Sequence, residues 1–164
     1  MRDPRSKTTA TAENALTPAE RDAFLMGETP LVTRFSTIRP DGWAHTAPTW
    51  YWWTGTHFLH ALGPGRRHLR NVAENPKVTE CVDIDQRADG SGGRAAAVVC
   101  FGEAEIVDDR DEIVAWSGKM LERYLGAELA AQYLQFAAAE IDHGRRLVKV
   151  TPVRWLTWDY AKVD

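Results

Sequence analysis

Short runs of apolar, aromatic and β-branched residues, separated by turn signals, make up most of the chain and predict strands. Turns rich in glycine, proline and aspartate follow several runs closely, and a tight turn joins neighbouring strands in antiparallel fashion. The predicted strands cover residues 31–38, 43–53, 56–62, 77–85, 95–107, 146–150 and 153–160. The first three are expected to form a meander. This succession favours a small antiparallel barrel over a doubly wound parallel sheet.

Four segments show helical spacing or helix-start signals instead. Thr17-Pro18-Ala19-Glu20 combines an N-cap, a proline at the first helical position and the glutamate of a capping box. Gly27 is expected to end that helix. Further helices are predicted over residues 66–74, 112–125 and 127–141. The last of these is rich in alanine, and its apolar face is expected to serve packing.

The length of 164 residues fits one domain. Residues 1–16 are polar and lack any period, which predicts a flexible N-terminal arm before a domain at 17–164. A second flexible segment is predicted at 86–94, where glycine and serine concentrate, and it is a candidate cover for a pocket.

Charge and composition exclude several classes of function. The net charge of −3 and the lack of a basic stripe argue against nucleic acid as a partner. No apolar stretch approaches the roughly 20 residues of a membrane span, and the N-terminus has no apolar signal region. A cytoplasmic location is therefore expected. Cys81 and Cys100 each lie in an apolar or strand-like run and are predicted to be buried free thiols.

The strongest candidate for chemistry is the segment that follows the third strand. Gly63-Pro64-Gly65 forms a glycine loop, and Arg66, Arg67 and His68 follow at the start of a predicted helix. Cations there oppose the helix dipole, whereas an anion would accept hydrogen bonds from the free N–H groups and neutralise the cations. The segment therefore predicts a phosphate site, and the alternative is a solvated basic turn.

Aromatic residues supply a second candidate surface. Three of the seven tryptophans lie at 50–53, and strand alternation places Trp50 and Trp52 on one face and Tyr51 and Trp53 on the other. One pair is expected in the core or an interface, and the other can line a pocket for a ring-shaped ligand. The histidines show no metal-binding spacing, so no metal site is predicted. His60 or His68 remains a possible ligand of haem iron.

The order of these motifs resembles the pyridoxamine 5'-phosphate oxidase-like superfamily, especially its actinobacterial flavin/deazaflavin oxidoreductase branch. The similar features are the Arg39-Pro40-Asp41-Gly42 turn, Pro48-Thr49-Trp50-Tyr51-Trp52, the Arg66-to-Pro76 segment, Val99-to-Glu105, and Pro152-Val153-Arg154-Trp155 with Trp158-Asp159. The resemblance covers about Thr17 to Tyr160. It implies a mainly β (α+β) fold, an antiparallel split β-barrel of the FMN-binding type.

The resemblance also implies a homodimer with cofactor sites at the predicted motifs. The phosphate would lie at Arg66, Arg67 and His68 near Asn71, and the ring along Thr49 to Trp52. The second subunit would complete the pocket with Arg154 and Trp155. The implied cofactor-binding residues are Thr49, Trp50, Tyr51, Trp52, Arg66, Arg67, His68, Asn71, Arg154 and Trp155. Where the family often has Ser-Arg-Lys at the helix start and a threonine before it, this chain has Arg66-Arg67-His68 and Leu62.

These departures leave the cofactor open among FMN, the deazaflavin coenzyme F420 and haem, with FMN the first choice. The implied function is an oxidoreductase that moves a hydride between the cofactor and a small organic substrate. Because the cofactor carries the chemistry, no catalytic side chain is assigned. The alternatives are a non-enzymatic carrier or sensor of flavin or haem, and a dimeric scaffold that has lost its cofactor.

Overall fold

A computed structural model of the chain describes residues 10–86 and 93–163. Seven strands and four α-helices follow one another along the chain. The strands are β1 Thr33–Ile38, β2 Ala44–Thr49, β3 Trp52–Trp53, β4 Phe58–Leu62, β5 Lys77–Asp85, β6 Ala95–Val107 and β7 Arg146–Asp159. The helices are α1 Pro18–Leu25, α2 Arg67–Glu74, α3 Arg110–Leu125 and α4 Ala127–Ala139, with a last 3-10 turn at Tyr160–Lys162.

All seven strands belong to one antiparallel sheet with the order β2-β1-β5-β6-β7-β4-β3. Its edge strands β2 and β3 are separated along the chain by only Trp50 and Tyr51. Two residues span at most about 10 Å between their flanking Cα atoms, so the sheet has to curl until its edges meet. The result is the split barrel of the α+β class that the resemblance implied.

Two strand boundaries differ from the prediction. The single strand expected over 43–53 is interrupted at Trp50 and Tyr51. This break lets the chain pass from β2, at one edge of the sheet, to β3, at the opposite edge. The strands expected at 146–150 and 153–160 are one strand, β7. Pro152 does not end it, because the β6–β7 pairing shifts register beside Phe101 and Gly102 and accommodates the proline at a bulge.

Gly102 allows the close approach of β6 and β7 at this bulge. A Cβ atom there would lie 2.6 Å from Cγ1 of Val150 and 2.8 Å from the carbonyl oxygen of Thr151. Both distances are below van der Waals contact, so any larger residue requires the strands to separate. The glycine is therefore a packing requirement of the barrel wall.

The barrel encloses a core of large side chains with no measurable exposure, among them Phe35, Tyr51, Phe58 and Val98. A second cluster lies outside the barrel, where Ile113 and Met120 of α3 pack on Leu59 and Leu147 of the sheet. The helical hairpin α3–α4 is thereby fixed against the β4–β7 side of the barrel.

The N-terminal segment is attached to the end of β7 near residues 14–16. The Asp159 N–H donates to the Asn14 carbonyl (2.8 Å), and the Leu16 N–H donates to the Thr157 hydroxyl (3.0 Å). The predicted capping box of α1 is present between Thr17 and Glu20. The rest of the predicted arm, residues 1–9, and most of the predicted 86–94 loop lie outside the described residues.

Both cysteines are free thiols, Cys100 fully buried and Cys81 half-buried. Within the described ranges, no helix is long and apolar enough to cross a membrane.

Candidate functional site

A cleft of about 1070 Å³ lies between the end of β2, the loop after β4 and the α3–α4 hairpin. One wall is formed by residues 47–50 and the other by the exposed face of α4, while the Gly63-to-Arg66 loop lies at one end. This volume is at the upper end of the range of small-molecule sites. The predicted phosphate loop borders this cleft through Gly63, Pro64 and Arg66.

The loop end of the cleft has the character of an anion site. Gly65 has a positive φ of 71°, which turns the chain into α2 at Arg66. Arg66 occupies the N-cap position, its side chain makes no capping hydrogen bond, and the first turn of α2 contains no acidic residue. Its exposed guanidinium forms no ion pair with any described residue. Free N–H groups and an unneutralised cation therefore meet at one end of the cleft.

His68 lies beside this end but is buried and already bonded. Its Nε2 donates to the Phe35 carbonyl (3.1 Å), and its ring stacks on Phe35 at 4.9 Å. Burial lowers the pKa of His68, and the nearby His45 ring adds to that shift. The side chain is consequently a neutral part of the cleft wall at pH 7 rather than a third phosphate-binding cation.

A buried polar network lies on the other face of Phe35. His60 stacks on Phe35 at 4.5 Å, and its Nε2 is 2.7 Å from Oε1 of Glu80. The other Glu80 oxygen accepts the Thr33 hydroxyl at 2.7 Å. Neither His60 nor Glu80 has any measurable exposure. Inside the barrel, each of these polar groups depends on the others for its hydrogen bonds.

This network fixes the break between β2 and β3. His60 Nδ1 donates to the Trp50 carbonyl (2.9 Å), so both nitrogens of the imidazole are engaged. On the other side of the break, the Tyr51 N–H donates to the Tyr124 hydroxyl (3.2 Å), and the Trp50 indole stacks on the Tyr124 ring at 4.7 Å. The Trp50 ring is thereby held at the cleft wall. His60 has no free nitrogen for a haem iron.

Four of the predicted cofactor-binding residues line the cleft, namely Thr49, Trp50, Arg66 and His68. The other six lie elsewhere. Tyr51 is fully buried in the barrel and donates to the Leu25 carbonyl, since the strand alternation turns it inward. Trp52 is half-buried against Trp116, and Asn71 is buried and donates to the Thr37 hydroxyl.

Arg67 is exposed on α2 without facing the cleft. Arg154 lies exposed over the Phe101 ring, and Trp155 is half-buried beneath the Arg21 guanidinium. Neither residue lines the cleft of the same chain: Arg154 is on the outer face of β7, whereas Trp155 faces the other way and packs against Trp53 and Phe58 of the barrel core.

Sequence reasoning missed the α3–α4 wall. Leu129, Tyr133 and Phe136 recur at positions i, i+4 and i+7 of α4, and they line the cleft while 44%, 52% and 71% exposed. From the sequence, this spacing predicted that the apolar face of α4 packs against the rest of the protein. An apolar stripe does not itself show whether another element covers it. Ser117 of α3 also lines the cleft and carried no sequence signal at all.

An ion pair between Arg145 and Glu140 lies beside the glycine loop, where a Cβ atom on Gly63 would be 3.7 Å from each partner. Arg145 donates to Glu140 through Nε (3.0 Å) and Nη2, and to the Ala61 carbonyl (3.3 Å). Its charge is satisfied within the protein. Arg66 is accordingly the cation of the cleft lining that has no counter-charge in the described residues.

Comparisons with known proteins agree with the split-barrel fold. A family model described as pyridoxamine 5'-phosphate oxidase matches residues 18–159. A search of curated proteins found no match. Among solved structures, the conserved hypothetical protein Rv2991 of Mycobacterium tuberculosis is similar with a TM-score of 0.79 and 21% identity, covering 95% of this chain and 92% of its own.

Two further solved structures that are similar to this chain are named after a cofactor. An F420 reductase has a TM-score of 0.57 and 26% identity, over 78% of this chain and 90% of its own. The haem storage protein HutZ of Vibrio cholerae has a TM-score of 0.62 and 17% identity, over 85% of this chain and 93% of its own. At that identity HutZ is evidence for the fold alone.

Proposed function

The chain belongs to the pyridoxamine 5'-phosphate oxidase family, and we propose on that basis that it is an oxidoreductase that uses FMN or the deazaflavin coenzyme F420. Its substrate is a small organic molecule. Membership makes a flavin-type ligand the first choice, and the F420 reductase among its structural neighbours favours the deazaflavin as the alternative. The observation that carries the proposal is the Arg66 cation, which has no counter-charge among the described residues, at the start of α2 beside a large cleft.

The residues present fit such a cofactor at its phosphate and at its ring. Arg66 and the first N–H groups of α2 would bind the phosphate, because they offer charge-assisted donors to an anion. Thr49 and the Trp50 ring would lie along the planar ring system, with Pro48 beside them. These contacts do not involve Ser117 Oγ, a buried hydroxyl of the same cleft without a partner in the described residues, so the lining keeps a hydrogen-bonding group besides those of the cofactor site.

The protein's own part in the reaction is to bind, orient and exclude water. When bound, the cofactor supplies hydride transfer to or from the substrate. The His60 and Tyr124 contacts fix the backbone at Trp50, so the wall that would receive the ring is rigid. The apolar α4 face would cover the reacting groups and keep water from them. No general base is needed for this chemistry.

The proposal includes a homodimer. Trp43, in the turn before β2, is 74% exposed, and Val153 and Leu156 on β7 are 69% and 44% exposed. Large exposed apolar side chains are typical of an interface. In the dimer, Arg154 and Trp155 of the second copy would reach the cofactor, which explains why the cleft of one copy does not contain them.

The decisive experiment is an absorption spectrum of the purified protein and titrations with FMN, F420 and hemin. We expect FMN or F420 to bind, and Arg66→Ala to weaken that binding at least about tenfold, because a charged hydrogen bond to phosphate is lost. Arg67→Ala is expected to have a smaller effect. Arg39→Ala removes the same charge from a turn far from the cleft and serves as the matched control.

Three results would contradict the proposal. They are the absence of binding by both flavin-type cofactors, equal effects of Arg66→Ala and Arg39→Ala, and a Soret band with hemin as the tightest ligand. The last result would favour the haem carrier instead.

A further inference from the structure

We infer that the α3–α4 half of the cleft is a substrate subsite for a flat, largely apolar molecule that carries a carbonyl group, with Ser117 as the hydrogen-bond donor to that group. This inference rests on the proposed function, because it names the substrate class of the same cleft. The observations that carry it concern the side chains of α3 and α4 that line the cleft.

Ser117 is the polar anchor of this subsite. Its side chain is only 2% exposed, it lines the cleft, and its Oγ has no hydrogen-bond partner among the described residues. A buried hydroxyl without a partner is disfavoured, and most buried polar groups in proteins are bonded. Its neighbours on the same helix face, Ile113 and Met120, are apolar and cannot satisfy it. A ligand carbonyl in the cleft would accept the free O–H.

The α4 stripe of Leu129, Tyr133 and Phe136 provides the apolar surface. The Tyr133 and Phe136 rings lie 6.5 Å apart and tilted by 57°, so together they offer both ring faces and edges. Leu121 and Met120 of α3 line the same part of the cleft. Exposed rings in an apolar recess are suited to a planar hydrophobic ligand.

The charged side chains of the cleft lining restrict the class of ligand further. Apart from Arg66 and His68, the described lining has one acidic and one basic side chain, Glu140 and Arg145, which neutralise each other through two hydrogen bonds beside Gly63. A charged group placed among the α3 and α4 side chains would therefore lose its hydration without gaining a partner. The subsite is suited to a neutral carbonyl compound, and anions are expected at Arg66 instead.

The test uses two nearly isosteric probes, 2-acetylnaphthalene and 2-isopropylnaphthalene, titrated by quenching of tryptophan fluorescence. The first has a carbonyl acceptor and the second has none. We expect the wild-type protein to bind the ketone about three- to tenfold more tightly, the effect of one neutral hydrogen bond. Ser117→Ala should abolish this preference while it leaves the affinity for the hydrocarbon nearly unchanged.

Two further variants make the test specific. Phe136→Ser should weaken both probes by a similar factor, because it removes apolar contact and leaves the Ser117 hydroxyl in place. Ser36→Ala, on a hydroxyl bonded to Thr46 on the β1–β2 strands, is the matched control and should change nothing.

An equal affinity of the wild-type protein for both probes, or a preference that survives Ser117→Ala, would overturn the inference. So would a Phe136→Ser variant that changes the oligomeric state and leaves both affinities unaltered, since α4 would then be an interface. Binding of FMN or F420 to the Ser117→Ala variant is measured in parallel. If the cofactor still binds the Ser117→Ala variant while the preference for the ketone is lost, the result supports the subsite. If neither cofactor binds the wild-type protein, the result contradicts the proposed function alone.

Discussion

Removal of the Glu80 carboxylate is the sharpest test of the buried network that supports the cleft. In the barrel core, Glu80 accepts the Thr33 hydroxyl and pairs with His60, both at 2.7 Å. Glu80→Ala would leave His60 Nε2 and the Thr33 hydroxyl proton buried without the partner that each has now. Breaking a fully buried pair in this way costs about 3–5 kcal/mol of unfolding free energy. For a domain of this length, that corresponds to a fall in Tm of about 6–20 °C.

Glu80→Gln removes the carboxylate charge and keeps groups that can form the same hydrogen bonds. Because the Trp50 carbonyl can only accept, His60 Nδ1 carries a proton, and a neutral imidazole then offers Nε2 as an acceptor. The glutamine amide can donate to that nitrogen, while its carbonyl accepts from Thr33. Both partners remain bonded, so we expect a loss below about 1.5 kcal/mol, the scale of one hydrogen bond.

The assay is urea unfolding followed by tryptophan fluorescence and by circular dichroism, with Ser36→Ala as the control on the sheet surface. The reasoning would be refuted if Glu80→Ala cost less than about 1 kcal/mol, or if Glu80→Gln were as harmful as Glu80→Ala. Either result would mean that water or a rearranged core replaces the bonds seen at His60 and Thr33.

Four other expectations follow from particular residues. Burial lowers the pKa of His68, so the unfolded chain takes up the proton first, and stability should fall as the pH drops below about 6.5; urea unfolding should show a smaller loss for His68→Gln. Burial raises the pKa of the Cys100 thiol to about 12, so that thiol should react with a disulfide reagent at pH 8 only after unfolding. Gly102→Ala should destabilise the barrel by about 1–3 kcal/mol in the same urea assay, because the new methyl group overlaps Val150. Light scattering should report a dimer for the wild-type protein and a smaller species for Val153→Glu, since the charge would fall on the proposed interface.

The structure also bears on the choice between an oxidoreductase and a haem carrier. His60 and His68 were the candidate iron ligands, and each is engaged on the side facing the barrel core. Haem binding through His60 would require the Glu80 and Trp50 bonds to break. The spectral titration therefore distinguishes two classes that the fold alone does not separate.

Local signals in the sequence determined the strands, the turns and the glycine loop before α2. Thr17 to Glu20 form the predicted capping box, and α2 begins directly after the predicted glycine loop. Such features depend on residues a few positions apart, so propensity and capping chemistry fix them locally. The resemblance to a split barrel, carried by the order of motifs, was likewise confirmed by the fold.

Tertiary structure alone decided which side chains share the cleft. Ser117 and Phe136 lie more than sixty residues along the chain from Trp50, and no local pattern distinguishes a stripe that lines a cleft from one that packs in a core. The same holds for Glu80, whose pairing with His60 depends on how the sheet curls, and for Tyr51, which turns inward at the strand break. The sequence determines local conformation through neighbouring residues, whereas burial, pairing and pocket lining depend on the closure of the whole sheet.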